Sequence, residues 1–184
     1  MSIRFPIILL GATALSACAT VENIADDVAN ELTTEQVGTA SLSFANGQPA
    51  GTARLLANGD QLSVAVTVNG MEPGPKGFHL HTTGACRAPD FTSAGGHLNP
   101  YNRTHGTQSA GGSHLGDLPN LQVHASGTAS ATVDVTGTRA SALEEIFDAD
   151  GTAVVVHAGP DDYRSDPAGD AGSRIACGVL RASN

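Results

Sequence analysis

Residues 51–68 contain the strongest fold signal in the chain, because two strand-forming runs, GTARLLA and QLSVAVTV, flank Asn58-Gly59-Asp60. An Asn-Gly pair accepts the positive φ angles of a tight turn, so this segment predicts a β-hairpin. Similar short runs recur as TASLSFA, GFHLHTT, GTASATVDV, TAVVVHA and IACGVL, separated by turn residues. The pattern predicts an all-β domain: an eight-stranded Greek-key β-barrel or sandwich with two long loops.

The first 20 residues, MSIRFPIILLGATALSACAT, are typical of an export signal. One arginine precedes an apolar run that is too short to span a bilayer comfortably, and small residues follow it. Leu15-Ser16-Ala17-Cys18 is typical of a bacterial lipobox, which would leave Cys18 as a lipidated N-terminus; ordinary cleavage after Ala19 is the alternative. We therefore expect three segments: a signal peptide at 1–17, an acidic tether at 18–36 and the folded domain at 37–184.

Export also bears on the three cysteines of the chain. With Cys18 assigned to a lipid anchor, Cys86 and Cys177 are an even pair in an oxidising compartment, where a disulfide is expected. Such a bridge would close a long loop and stabilise the fold by roughly 3–5 kcal/mol in the chain-entropy model. Two buried free thiols are the alternative.

The chain is acidic, with 9 Lys and Arg against 18 Asp and Glu. This balance argues against nucleic acid as a partner and against electrostatic adhesion to an anionic membrane. The only membrane contact that we expect is a lipid anchor on Cys18.

Six of the seven histidines occupy positions that suit metal binding. His79 and His81 are two residues apart in GFHLH, so their side chains lie on the same face of a strand. A long aperiodic stretch, and then the end of TAVVVHA, supply the other candidates: His97, His105, His114, Asp117 and His157. Three histidines with one aspartate suit a closed zinc site, whereas an all-imidazole set suits Cu(II). The seventh, His124, is predicted to be a surface residue.

Together these motifs resemble those of the copper/zinc superoxide dismutases, from about residue 38 to 181. GFHLH resembles the strand that carries the first two copper ligands, and GGHLNP the segment with the histidine that bridges both metals. VVVHAGPDD resembles the last copper ligand with its following aspartate, and AGSRIACGV the stretch with the active-site arginine and the second half-cystine. The spacing of His97, His105, His114 and Asp117 resembles the zinc loop of the family.

The resemblance implies an enzyme with one copper and one zinc ion per subunit. The copper centre would cycle between Cu(II) and Cu(I) and convert superoxide to hydrogen peroxide and dioxygen, while zinc organises the bridging histidine. The implied copper ligands are His79, His81, His97 and His157. The implied zinc ligands are His97, which is shared, and His105, His114 and Asp117.

Three further residue roles follow from the same resemblance. Asp161 would link a copper histidine to a zinc histidine, and Arg174 would attract and orient the superoxide anion. A disulfide between Cys86 and Cys177 would tie the metal loop to the barrel beside Arg174.

The short spacing between His81 and Cys86 is similar to that of bacterial periplasmic members. This implies antioxidant defence in the cell envelope, with the protein lipid-anchored in the bacterial periplasm as a homodimer or a monomer. The cationic cluster that guides superoxide in eukaryotic members has no counterpart; Arg164, Lys76 or Arg87 could replace it, although solvated surface charge is the favoured interpretation of each. The alternatives are a metal-binding lipoprotein without catalysis and a copper-only relative, and the complete ligand set disfavours both.

Overall fold

The structure is a computed structural model that describes residues 34–183. The predicted signal peptide, Cys18 and all but the last three residues of the predicted tether lie outside the described residues. The first strand begins at Glu35, so the final two tether residues belong to it.

Ten β-strands, one α-helix and one short 3₁₀ helix (Thr92–Ala94) make up the regular structure of the described residues. In chain order they are β1 (Glu35–Phe44), β2 (Pro49–Asn58), β3 (Gln61–Val68), β4 (Gly74–Lys76), β5 (Phe78–His81), β6 (Leu121–Val123), β7 (Ala129–Val135), α1 (Arg139–Ile146), β8 (Ala153–His157), β9 (Arg174–Val179) and β10 (Arg181–Ala182). Between residues 34 and 183, no helix has the length and apolar character needed to cross a bilayer.

Eight strands form one curled antiparallel sheet in the order β5-β8-β9-β1-β2-β3-β7, with β10 also paired to β1. Strands β4 and β6 form a separate two-stranded sheet. The all-β fold class is confirmed, although there are ten strands and not the expected eight. Strands β4, β6 and β10 are two or three residues long and therefore too short to give a periodic signal in the sequence.

The predicted hairpin at Asn58-Gly59-Asp60 is confirmed. Strands β2 and β3 pair in register from Gly51 opposite Val68 to Asn58 opposite Gln61, and Gly59 has a φ of +57°. Every second residue of β3, beginning at Leu62, is buried in the hydrophobic core.

Strand β5 has one face in this core and the other face on the opposite side of the sheet. Phe78 and Leu80 are fully buried members of the core. Because side chains alternate along a strand, His79 and His81 face the other way, toward the long loop between β5 and β6. The fold thereby presents two imidazoles of one strand to a loop that carries three more.

Candidate metal centre

The predicted metal ligands converge into two groups that share one histidine. In the first, here called the four-histidine set, the candidate ligand atoms of His79, His81, His97 and His157 lie within 4.8 Å of one another. The second, here called the aspartate set, meets the same distance criterion and consists of His97, His105, His114 and Asp117. All six histidines are buried, so their ring nitrogens need partners inside the protein.

Among the described residues, each imidazole of the four-histidine set has one ring nitrogen without a hydrogen-bond partner. These atoms are Nδ1 of His79 and Nε2 of His81, His97 and His157. A buried polar atom left unpaired costs free energy of about 1–3 kcal/mol. Four such atoms facing one point are the pattern expected of a metal-binding site. Four imidazole nitrogens are ligands that suit a copper ion.

Outward hydrogen bonds fix the tautomer of three of these histidines. His81 Nδ1 lies 3.0 Å from the Gly95 carbonyl oxygen, and His157 Nδ1 lies 3.1 Å from that of Gly172. His79 Nε2 lies 2.8 Å from Asp161 Oδ2. A neutral imidazole carries one proton, so donation to these acceptors leaves the lone pair of the other nitrogen free for a metal ion.

The aspartate set is organised around a single oxygen. Asp117 Oδ1 lies 2.8, 3.0 and 3.2 Å from the Nδ1 atoms of His97, His105 and His114, respectively. The Nε2 atoms of two of these rings face other acceptors, which are Asp161 Oδ1 at 3.0 Å from His105 and the Arg103 carbonyl at 3.1 Å from His114. If His105 and His114 place their protons on Nε2, their Nδ1 lone pairs face the Asp117 carboxylate. A cation between them removes that repulsion, and three nitrogens with one oxygen fit Zn²⁺.

His97 differs from the other five rings because its two nitrogens face different ligand sets. Its Nδ1 faces Asp117, and its Nε2 is one of the unpartnered atoms of the four-histidine set. Its ring centroid lies 3.9 Å from that of His79 and 5.1 Å from that of His105. One imidazole therefore belongs to both sets.

Asp161 connects the two sets from the other side. Its two carboxylate oxygens contact His79 and His105, and its Oδ1 also accepts from the Tyr163 amide at 2.6 Å. The Asn120 side chain holds the backbone of Asp161, accepting from its amide at 2.8 Å and donating to its carbonyl at 2.9 Å. No sequence motif indicates this role of Asn120, because the contact depends on how two distant loops fold together.

A second residue missed at the sequence level is Gly169. It has a φ of +64°, and a Cβ atom there would overlap Asp161 Oδ1 and come within 2.6 Å of His105 Nε2. The contact between Asp161 and His105 therefore requires glycine at this position. The loop sequences GPDD and PAGD do not indicate this contact. Conservation of Gly169 in an alignment of homologues would indicate it.

Burial and charge set the protonation states in the protein without metal ions. Burial lowers the pKa of His81 to about 2 and the pKa values of His97 and His157 to about 4. Burial also lowers the pKa of His79, although Asp161 opposes this effect. These rings are thus neutral at pH 7, which is the state that binds metal ions.

His105 shows the opposite behaviour. Burial favours its neutral form, but Asp117 and Asp161 overcome this and raise its pKa to about 9. Burial likewise favours the neutral carboxyl of Asp117 and of Asp161, yet hydrogen bonds from the histidines hold the pKa of each below its usual range. In the metal-free protein, the cationic ring of His105 therefore balances the carboxylates of Asp117 and Asp161. A zinc ion would supply that positive charge in its place.

Arg174 begins β9 directly opposite His157 on β8. Its guanidinium donates to the Phe91 carbonyl at 2.7 Å and to the Gly95 carbonyl at 2.6 Å. The predicted disulfide between Cys86 and Cys177 is present, with the two Cα atoms 5.6 Å apart. It joins the loop that holds Arg174 to the strand on which Arg174 lies.

Charged residues considered as guides for an anion differ in their environments. Arg87 and Arg164 are exposed, as expected for solvated charges. The expectation of a solvated surface charge is wrong for Lys76, which is only 8% exposed. His124 is exposed and takes part in neither metal-ligand set.

Comparison with known proteins points to the same family that the sequence motifs resemble. Residues 49–180 match the family described as copper/zinc superoxide dismutase (SODC). A protein named superoxide dismutase (Cu-Zn) 2 from Aquifex aeolicus is 39% identical over 145 residues, which cover 77% of this chain and 85% of that protein.

Solved structures show the same similarity. The structure of a superoxide dismutase-like protein from Bacillus subtilis is 36% identical, with a TM-score of 0.71 over 78% of this chain and 97% of that one. The Cu/Zn superoxide dismutase from Brucella abortus is 29% identical, with a TM-score of 0.64 over 80% of this chain and 99% of that one.

Proposed function

The chain belongs to the copper/zinc superoxide dismutase family, and from this premise we propose that it removes superoxide in a bacterial cell envelope. The reaction converts two superoxide anions and two protons into dioxygen and hydrogen peroxide. The observation that carries the proposal is the set of four buried, unpartnered ring nitrogens beside a second, carboxylate-containing set.

The donor chemistry assigns one metal to each set. His79, His81, His97 and His157 offer only imidazole nitrogens and would hold copper, whereas the aspartate set would hold zinc. When bound, copper supplies the one-electron redox couple, and zinc, which keeps one oxidation state, supplies a fixed positive charge. Asp161 keeps one imidazole of each set in the tautomer that binds metal.

His97 is the residue of the chain best placed to handle a proton. Its Nδ1 is directed at the aspartate set, so only Nε2 is left to face the four-histidine set. Within residues 34–183, no donor or acceptor competes for Nε2. A proton held at this atom can therefore pass to the peroxide that forms beside it, while the ring stays anchored through Nδ1.

Arg174 supplies the positive charge that orients the substrate. The protein as a whole has a formal net charge of −9, which should repel superoxide. Charges separated by more than about 8–10 Å are largely screened at physiological ionic strength, so the local field decides the approach of the anion. The two carbonyl contacts of Arg174 hold its guanidinium in place beside the four-histidine set.

The envelope location rests on different observations. The composition of residues 1–20 and the Leu-Ser-Ala-Cys sequence support export and a lipid on Cys18, and the disulfide supports an oxidising compartment. Mass spectrometry of the protein purified from membranes should find Cys18 as an acylated N-terminus. A mature chain that begins at Thr20 without an acyl group would contradict the lipid anchor.

The activity is tested by superoxide consumption after loading with copper and zinc, compared with zinc alone. We expect fast consumption only in the protein that holds both metals. Absence of copper-dependent consumption in a protein shown by metal analysis to hold both ions would contradict the proposed function and leave a metal-binding protein.

A further inference from the structure

Asp166 contacts two histidines of the aspartate set without belonging to that set. Its Oδ1 accepts from the His105 backbone amide at 2.7 Å and lies 3.9 Å from Nε2 of His114. The Asp166 side chain is 59% exposed, whereas both histidines are buried. This carboxylate therefore extends from the surface to the main chain of one proposed zinc ligand and toward the ring of another.

The main chain of His105 is held on both sides of its ring. His105 lies in a loop, so its amide has no place in the hydrogen-bond ladder of a strand, and Asp166 is the acceptor instead. The next amide, that of Gly106, donates to Asp117 Oδ2 at 2.8 Å. The Ser109 hydroxyl donates to the His105 carbonyl. Two consecutive amides thus donate to two carboxylates, of which one is a proposed zinc ligand and the other is Asp166.

The segment that carries Asp166 also holds the His105 ring. Asp161 Oδ1 lies 3.0 Å from His105 Nε2, while Nδ1 of the same ring faces Asp117. An imidazole lone pair points at a metal ion only when both the ring and the main chain that carries it are fixed. Asp161 fixes the ring of His105, and Asp166 fixes its main chain.

Contacts that do not involve Asp166 attach this segment to the loop of the aspartate set. The Tyr163 hydroxyl accepts from the Asn120 amide at 2.9 Å, and the Tyr163 carbonyl accepts from the Gln108 amide at 3.1 Å. Arg164 Nε donates to Gln108 Oε1 at 2.8 Å. The segment should therefore stay in place when the Asp166 side chain is changed.

We propose that Asp166 is a positioning residue for zinc, which holds His105 against the ion through its backbone amide and thereby slows release of the ion. A ligand whose main chain can shift leaves a metal ion more readily than one that is held in the binding geometry. The inference rests on the assignment of zinc to the aspartate set. It does not depend on superoxide being the substrate.

Substitution separates the acceptor of Asp166 from its charge. Asp166→Ala removes both, whereas Asp166→Asn keeps an oxygen that can accept from the His105 amide. The matched control is Asp170→Asn, which removes one negative charge from an exposed residue of the same loop. If the alanine variant does not fold, Asp166→Ser takes its place, because its hydroxyl is one bond too short to keep the 2.7 Å contact.

Zinc release to an excess of chelator, from the protein loaded with copper and zinc, is the first measurement. We expect Asp166→Ala to release zinc about tenfold faster than the unchanged protein, the lower end of the loss caused by removing a group that supports a metal ligand. Asp166→Asn and Asp170→Asn should stay within about twofold of the unchanged protein. Equal release from Asp166→Ala and Asp170→Asn would overturn the proposal. Equally fast release from Asp166→Ala and Asp166→Asn would also overturn it, because the cause would then be charge and not the amide acceptor.

The geometry of the site has its own readout, which a general loss of stability would not move. Co²⁺ in the aspartate set, with copper held as colourless Cu(I), gives visible absorption bands that depend on how the ligands are arranged. These bands should shift in Asp166→Ala and stay unchanged in Asp166→Asn and Asp170→Asn. Unchanged bands in Asp166→Ala would overturn the positioning role. Failure of the unchanged protein to consume superoxide would contradict the proposed function alone, because zinc release and the cobalt bands are measured without substrate.

Discussion

Arg174 and His81 donate hydrogen bonds to the same carbonyl oxygen, that of Gly95. The distances are 2.6 Å from Arg174 Nη2 and 3.0 Å from His81 Nδ1. One loop residue thus orients both the proposed substrate-binding cation and a proposed copper ligand. The loop is in turn joined to β9 by the disulfide between Cys86 and Cys177.

Replacing Arg174 by alanine should lower kcat/KM roughly tenfold, which corresponds to about 1.4 kcal/mol, without loss of either metal. The reason is that Arg174 contacts carbonyl oxygens and no ring nitrogen, so the hydrogen bond from His81 to Gly95 survives. Arg174→Lys should recover part of the rate because it keeps the charge. Stopped-flow superoxide consumption with metal analysis checks this, and an unchanged kcat/KM in the alanine variant would refute the role of the charge.

Asp161→Asn should weaken zinc and copper binding, because an asparagine side chain offers one acceptor oxygen where Asp161 serves both His79 and His105. Loss of such a supporting carboxylate costs roughly 10- to 100-fold in metal affinity. Competition with a chelator measures this. Asp162→Asn is the matched control, since Asp162 is exposed and binds only its own loop. Equal affinities in the two variants would mean that Asp161 does not support the metal ligands.

Gly169→Ala should reduce zinc content and lower the midpoint of thermal unfolding, because the added methyl group would displace Asp161 from His105. Gly59→Ala provides the control: its φ of +57° is similar to the +64° of Gly169, but nothing lies within 4 Å of its Cβ position. The control carries only the strain of a positive φ, about 1 kcal/mol. If both variants keep full zinc content, the close packing at Gly169 does not matter for the site.

The stability of the metal-free protein should be highest near pH 6.5. His81, His97 and His157 have pKa values below the ordinary 6.5, so unfolding takes up protons as the pH falls from 6.5 toward 4 and stability is lost. His105 has a raised pKa of about 9, so its contribution is complete below pH 6.5 and is lost as the pH rises through 9.

Unfolding midpoints of the metal-free protein across pH 4–10 measure this dependence. In the zinc-loaded protein the alkaline decrease should disappear, because a zinc-bound His105 carries no extra proton to lose. A metal-free midpoint that keeps rising from pH 6.5 to 9 would contradict the assigned environment of His105.

The sequence predicts the ligand-bearing strands well, because their periodicity is local. Alternation in GFHLH places His79 and His81 on one face, and the structure confirms that both face away from the core that Phe78 and Leu80 enter. The convergence of the loop histidines is not local. It was expected from the similarity of the spacing to a known family, and not from the residues alone.

Other features depend on loop conformation and could not be predicted. Asn120, Gly169 and the carbonyl of Gly95 act through contacts between segments far apart in the chain, and each is an ordinary loop residue by type. Lys76 follows a Pro-Gly-Pro turn, which favoured an exposed position. Its burial arises from the packing of β4 against the residues after His157.

The central claim is that His97 serves both metals, and diffraction from crystals of the copper- and zinc-loaded protein, measured at both absorption edges, tests it most directly. We predict a copper peak among Nδ1 of His79 and Nε2 of His81, His97 and His157. We predict a zinc peak among Nδ1 of His97, His105 and His114 and Oδ1 of Asp117. A single peak, or two peaks of which only one contacts His97, would contradict the account.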